Sequence, residues 1–496
     1  MTTTVETFAS FDPATGKELA RYPIHDAGQV RAAVDRARVG GTWWAGLAPA
    51  ERRRRMRAWA AELVRTRHTL AALIHDETGK PHDDAFLELL LGLEHIAWAS
   101  PHAARVLRRR RLPSGLAMAN HAAYVEYRPF GVVGVIGPWN YPVFTPLGSI
   151  AYALAAGNTV LFKPSEHTSG VGVFLADAFA RANPDAMAGV FEVVTGGGST
   201  GAALCGAGVD KLAFTGSGAT GTRVMTACAR TLTPVLMECG GKDALIVGAG
   251  ANVKEAAEAA LWGALSNAGQ TCVGIERVFV ERSIRAEFLD ELRAGIADLI
   301  PPDEPGGGYG PMTVPTQMEV VRRHIDEALA GGATALVGGI GAVRPPYIDP
   351  VVLVDAPDDS GVACEETFGP VIAVRTVEDL DEAVRLANGT GYGLGAAVFA
   401  RTGRLGVQVA RRLRTGMVSV DAVIAFASIP ALPFGGVGAS GFGRIHGADG
   451  LREFARPQSI TRRLFRTPIE PTSFARTRGT MKLLDRYVAL RFGRRA

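Results

Sequence analysis

The stretch Phe130-Gly131-Val132-Val133-Gly134-Val135-Ile136-Gly137, closed by Pro138-Trp139-Asn140-Tyr141-Pro142, decides how this chain folds. Its apolar run has no polar alternation, the pattern of a strand buried on both faces. The proline-flanked loop stops it. From there short apolar strands and helical stretches take turns: strands over 159–163, 190–194, 211–215 and 235–238, helices over 168–182 and 218–230. Strands separated by helices imply a parallel sheet covered on both faces, and so an α/β fold. A second block repeats the scheme, with strands over 278–281, 335–337, 351–354, 371–374 and 395–399 and helices over 284–298 and 315–330. It argues for a second α/β unit.

Upstream, 8–11 and 18–24 flank an Asp-Pro-Ala-Thr-Gly turn and read as paired strands. Asp26 is placed to cap a helix through residue 39. Helices follow over 50–67, from 70 to the stop Thr78-Gly79-Lys80-Pro81, and over 83–108. Residues 124–128 alternate Tyr, Val, Glu, Tyr and Arg, a strand pattern of period two. Downstream, 467–480 is rich in Pro, Thr, Ser and Arg and reads as a linker. Residues 481–492 put Met481, Leu484, Tyr487 and Val488 on one helical face beside basic residues. That tail suits packing on a partner subunit or a weak contact with an anionic membrane surface.

The 496 residues, 47% of them hydrophobic, fill two or three domains. Net charge is only +4. The arginine runs 52–55 and 108–111 carry no interleaved aromatics, so no nucleic-acid partner is expected. The five cysteines, Cys205, Cys228, Cys239, Cys272 and Cys364, are odd in number and form no C-x-x-C pair. Neither a disulfide framework nor a metal site is expected, and a reducing, cytoplasmic setting is. Met1 to Glu6 has no basic or apolar region of a signal peptide, and no apolar run reaches the length of a membrane helix.

One cysteine stands apart. In Leu265-Ser266-Asn267-Ala268-Gly269-Gln270-Thr271-Cys272-Val273 it lies on a polar, glycine-bearing loop rather than in an apolar pattern. A nucleophilic thiol needs such access. Thr215-Gly216-Ser217-Gly218-Ala219-Thr220-Gly221 follows a strand, opens a helix and matches G-x-G-x-x-G. There, backbone N–H groups at a helix start favour a pyrophosphate; a plain tight βα turn gives the same residues. Glu238 has the spacing of the ribose-binding acid that this fingerprint expects. Asn140, Lys163 with Glu166, and Glu366 with Phe368 also sit on loops after apolar strands or between Pro and Gly. An Asn can donate to an oxyanion, a Lys can bond ribose hydroxyls, and a Glu can act as base or hold a diol.

In order along the chain, Pro138-Trp139-Asn140-Tyr141-Pro142, Lys163-Pro164-Ser165-Glu166, Phe214-Thr215-Gly216-Ser217, Glu238-Cys239-Gly240-Gly241-Lys242, Gly269-Gln270-Thr271-Cys272, Glu366-Thr367-Phe368-Gly369-Pro370 and Pro433-Phe434-Gly435-Gly436 resemble the motifs of the NAD(P)-dependent aldehyde dehydrogenase superfamily, from about residue 8 to 460. The resemblance implies two Rossmann-like α/β domains and a small β oligomerisation arm. The cofactor domain would span 1–108 and 129–239, the catalytic domain 240–435, the arm and the chain's return 109–128 and 436–466, and the linker and tail 467–496. It implies catalytic roles for Cys272 as nucleophile, Glu238 as general base rather than ribose ligand, Asn140 as oxyanion donor, and Lys163. Trp139, Lys163, Glu166, Gly216, Ser217, Glu366 and Phe368 would bind the cofactor. Glu166, a carboxylate beside the ribose 2′-hydroxyl, would favour NAD over NADP. A homodimer or homotetramer oxidising an aldehyde to the acid is expected. A semialdehyde dehydrogenase for a carboxylated substrate and a non-catalytic protein of the same fold are the alternatives. Cys239, where the family usually has Leu, and Ile445, where many members have Glu, depart from the pattern.

Overall fold

The computed structural model describes residues 6–467 and 472–493. Met1–Val5, read above for a signal peptide, and 468–471 of the linker lie outside the described residues. The chain divides into one unit of residues 1–106 with 129–456 and a second of 107–128 with 457–496.

In the first unit a six-stranded sheet runs in the order Gly441–Phe442, Val235–Glu238, Lys211–Thr215, Val132–Ile136, Thr159–Lys163, Phe191–Val193. All neighbours are parallel except the first pair. Every residue of Val132–Ile136 is buried, as its unbroken apolar run requires. Strand order reverses between Val132–Ile136 and Lys211–Thr215. Open α/β sheets bind ligands in the crevice at the carboxyl ends of such a reversal. The loop Gly137–Asn140 and the turn Thr215–Ser217 leave the sheet at that crevice.

The second sheet runs Thr334–Val337, Val351–Val354, Val371–Val377, Ile275–Glu281, Asp243–Val247, Ala396–Phe399, Ser419–Val420. Here too an edge strand, Thr334–Val337, is antiparallel, so neither sheet is purely parallel as the alternation alone implied. Two elements at its centre have no counterpart in the sequence reading: Asp243–Val247 and the helix Val253–Leu265. The strand expected at 278 begins at Ile275. The charges of Glu276 and Arg277 hide it, yet both are buried and paired, Arg277 to the carbonyls of Lys242, Leu386 and Ala387.

Local rules fix the helices around the site. Asp26 and Gln29 form a capping box at the start of Ala27–Gly46. Gly79 ends Arg67–Thr78 in the left-handed conformation, φ +76°. Gly92 lets His82–Val106 close on Phe144–Ala155; a Cβ there would stand 3.0 Å from Leu147 and Val143 side-chain atoms.

On the buried face of His82–Val106 lies His95, its ring centroid 3.9 Å from that of His446. Neither ring nitrogen of either histidine has a hydrogen-bond partner among the described residues. Burial pushes His95 down from 6.5 to about 3. The unfolded chain takes up this proton near pH 6.5 and the folded chain does not. His95 therefore lowers stability progressively as pH falls through that window, by about 1.4 kcal/mol per pH unit. The His95→Phe variant should show a pH–stability curve shallower by that amount on the acid side, measured by denaturant unfolding.

In the second unit Arg110–Leu112 pairs antiparallel with His121–Pro129, and Ala455–Arg463 lies on the other edge of His121–Pro129. Of residues 436–466, Gly441–Phe442 adds a strand to the first unit's sheet, whereas Ala455–Arg463 joins the three-stranded one. The tail forms the helix Arg478–Phe492, capped by the Thr477 hydroxyl. Of its expected apolar face, Leu484 and Tyr487 are half-buried, while Met481 and Val488 are exposed. Among the described residues no helix is long and apolar enough to cross a membrane.

Candidate active site

Cys272 follows a loop built from left-handed residues. Asn267, Ala268 and Gly269 have φ of +54°, +56° and +71°. Glycine is required at 269, where a Cβ would stand 2.1 Å from the Gly369 carbonyl oxygen. Left-handed Ala268 costs about 1 kcal/mol or more, and the loop is held by bonds that offset it. Gln270 donates Nε2 to the Asn267 carbonyl at 2.8 Å and accepts from the Thr313 N–H at 2.8 Å. The Thr271 and Tyr141 hydroxyls meet at 2.9 Å.

This loop is tied to the one that carries Asn140. The Asn140 Nδ2 donates to the Gln270 carbonyl at 2.8 Å, and Asn267 Nδ2 donates to the Asn140 carbonyl at 3.0 Å. Lys80 Nζ donates to that same carbonyl at 2.8 Å and to Glu88 at 2.5 Å. Glu88 in turn accepts from the N–H groups of Val143 and Phe144 at 2.7 and 3.1 Å. Lys80 and Glu88 escaped the sequence reading. Lys80 served there only as part of a helix stop. The signal for Glu88 was an acid on the face shared by Ala85, Leu89 and Gly92.

Glu238 ends its strand with both carboxylate oxygens buried and without a hydrogen-bond partner among the described residues. Burial raises its carboxyl well above the ordinary value, with Arg444 pulling the other way. Gly435 leaves it room; a Cβ there would stand 2.8 Å from Glu238 Oε1. The Cys272 thiol is also pushed up, by burial and then by the charges of Glu366, Asp243 and Glu238. Glu366 lies against Gly240, accepts from the Gly241 N–H at 3.1 Å and is pushed to about 8, mainly by burial. Phe368 is held at φ +50°, with its N–H on Glu276 at 2.9 Å. Lys242 bonds Glu276 and reaches Thr367 at 3.0 Å. Trp139 meets Phe368 edge-on at 5.5 Å.

Across the crevice Lys163 Nζ lies 3.3 Å from Glu166. Burial pulls the Lys163 ammonium below its usual range. Burial alone would raise Glu166, but Lys163 and a backbone hydrogen bond outweigh it and hold the carboxyl below its ordinary value. Ser217 caps the helix Gly218–Ala229, accepting from the Thr220 N–H. Cys239 packs beneath that helix: a Cβ on Gly221 would stand 3.1 Å from its sulfur.

These groups border two cavities. One, of about 730 Å³, fills the crevice and is lined by Trp139, Asn140, Lys163, Glu166, Gly216, Ser217, Glu366 and Phe368. The other, of about 170 Å³, is lined by Leu87, Tyr141, Phe144, Trp262, Ile424 and Phe434 among others. Cys272 and Glu238 line both. Every residue expected at the site thus lies on the crevice cavity, and Cys272 and Glu238 lie where the two spaces meet.

A crevice at the sheet's switch point that ends at the half-buried Cys272 thiol and the buried Glu238 carboxyl is the arrangement of an α/β protein that takes a ligand there. The model of the Aldehyde dehydrogenase family matches residues 1–460. The chain belongs to the aldehyde dehydrogenase family, whose members use a nicotinamide cofactor. It is 37% identical over 471 residues to a 4,4'-diapolycopene aldehyde oxidase of Methylomonas sp, covering 94% of this chain and 88% of that one. It is 36% identical over 466 residues to a Mycobacterium bovis protein named as a succinate-semialdehyde dehydrogenase acting with NADP(+), covering 91% and 88%. The NAD-dependent aldehyde dehydrogenase from Sinorhizobium meliloti superimposes with a TM-score of 0.88 at 33% identity, over 94% of this chain and 93% of that one.

Proposed function

We propose that this enzyme oxidises an aldehyde to the carboxylic acid with reduction of NAD, through a covalent intermediate on Cys272. The observation that carries the reading is the meeting of the two cavities at Cys272 and Glu238. The crevice fits a dinucleotide. A Cβ on Gly197 or Gly198 would meet nothing within 4 Å, which leaves open space at the start of a helix lining it. Lys163 and Glu166 would hold one ribose and Glu366 the other. Gly216 and Ser217 would receive the pyrophosphate, and Phe368 and Trp139 would wall the ring site.

The Cys272 thiol gives up its proton to solvent and attacks the carbonyl carbon as thiolate. One Asn140 amide hydrogen is engaged by the Gln270 carbonyl, which leaves the second, with the Cys272 N–H, as the donors that would meet the developing oxyanion. Such preorganised donors are worth about 3 kcal/mol each. A nicotinamide held in the crevice by these residues would supply the acceptor for the hydride that the carbon loses. The thioester left on Cys272 is attacked by water, whose proton goes to Glu238. The carbon–sulfur bond breaks, the acid leaves and the thiolate returns.

Glu166 supports NAD over NADP, because its carboxylate repels a 2′-phosphate. The Glu166→Gln variant should gain about tenfold in kcat/KM for NADP relative to NAD, the size of one near-surface charge repulsion. An unchanged ratio would remove Glu166 as the selector.

A second reading, a carboxylated semialdehyde as substrate, draws on the name of the Mycobacterium bovis relative. A non-catalytic protein is disfavoured because thiol, base and oxyanion donor stand together. We read the active species as a cytoplasmic homodimer or homotetramer: most of the nine-residue edge strand Ala455–Arg463 is exposed, a ready template for pairing. Reduced-nicotinamide absorbance over aliphatic, aromatic and carboxylated aldehydes, with each dinucleotide, tests the reaction. Aldehyde-dependent reduction supports it. Absence of dinucleotide binding overturns it.

A further inference from the structure

Resting on that reading, we propose that the substrate is an uncharged aldehyde with a long apolar chain, whose far end leaves the cavity across Leu87 and Trp262. Leu87, Leu91, Phe144, Trp262, Ile424 and Phe434 give the cavity beside Cys272 mostly apolar walls. Leu87 and Trp262 line it and are also 40% and 49% exposed, so they form its mouth. Their apolar side chains give the mouth a rim along which an apolar chain exposes less of its surface to water than it would in solvent. A cavity of about 170 Å³ is near the size that accepts a benzene ring, or about six carbons. A longer chain must run out over these two side chains.

The charges in the cavity exclude a carboxylate at the far end. Among the described residues its only lining cation is Lys80. Lys80 is buried and already engaged by Glu88, by the Asn140 carbonyl and by the face of Tyr141 at 4.1 Å. The other charged lining residues, Asp84, Glu88 and Glu238, are all acids. A substrate carboxylate would find no free donor of opposite charge and would lose its hydration.

The test is kcat/KM, read from nicotinamide reduction, for straight-chain aldehydes from propanal to decanal and for succinate semialdehyde. It is run on wild-type, Leu87→Ser, Trp262→Ser and Cys272→Ala proteins. The wild type should gain about fourfold per added methylene up to about six carbons. It should prefer butanal to succinate semialdehyde by more than about a hundredfold, and each mouth variant should lower the decanal-to-propanal ratio several-fold. A flat chain-length profile, or succinate semialdehyde oxidised as well as butanal, would overturn the inference while Cys272-dependent turnover left the proposed reaction standing. Failure of every aldehyde to give Cys272-dependent reduction would overturn both.

Discussion

Cys272→Ala is expected to lower aldehyde-dependent nicotinamide reduction by about 10⁴-fold or more while leaving dinucleotide binding unchanged. Deleting a covalent nucleophile removes the route itself rather than one contact on it, and losses of this order follow. Cys239 also lines both cavities, but it cannot substitute. Its sulfur is buried and packed beneath Gly218–Ala229, where a Cβ on Gly221 would stand 3.1 Å from it, whereas Cys272 is only half-buried. Cys239→Ala should therefore keep most of the activity. The residues proposed to hold the riboses and pyrophosphate are others, so equilibrium binding of the dinucleotide measures folding and the cofactor site in the same variant. Retention of more than about a hundredth of the turnover would remove Cys272 as nucleophile. Loss of binding along with turnover would instead locate the fault in the fold.

The two features that decide this site differed in legibility. Alternating apolar runs gave the sheet strands because the period of each element is written in its own residues, as at Val132–Ile136. Asp243–Val247 was missed because a short run following Gly240-Gly241-Lys242 looks like the exit of the previous strand. The expected site residues all line the crevice cavity, because each lies on a loop whose motif is local in sequence. What stayed hidden is the support beneath them. The contact of Lys80 with the Asn140 carbonyl joins residues 60 positions apart. The pairing of Lys242 with Glu276, and of Glu276 with the N–H groups of Thr367 and Phe368, likewise spans separate loops. A single chain read by periodicity carries no record of such pairings. Buried charges at apolar positions, Glu88 and Glu276 among them, were the available signs. The cavity walls were equally illegible, since Leu87 and Trp262 come from two distant helices.

Glu238→Gln is expected to uncouple the two halves of the reaction. The thiol attack and hydride loss need no base at 238, so mixing enzyme, dinucleotide and aldehyde should give a burst of about one reduced nicotinamide per site. Steady turnover should then run about 10²–10⁴-fold below wild type, the usual contribution of a positioned general base. Glutamine keeps the shape of the side chain, and no hydrogen bond to a described residue is lost, since the Glu238 oxygens have none. The acyl group should be recoverable on Cys272 by mass spectrometry of the quenched variant. The pH dependence gives a second readout. Burial holds the Glu238 carboxyl well above its ordinary value, and only the ionised form accepts a proton from water. Wild-type thioester hydrolysis should rise with pH through that raised value and fall as pH drops below it, and the glutamine variant should lack this rise. Steady turnover within tenfold of wild type, without a burst and with the same pH profile, would show that Glu238 does not activate the water. Its buried, unpartnered carboxyl would then be a structural cost with no chemical return.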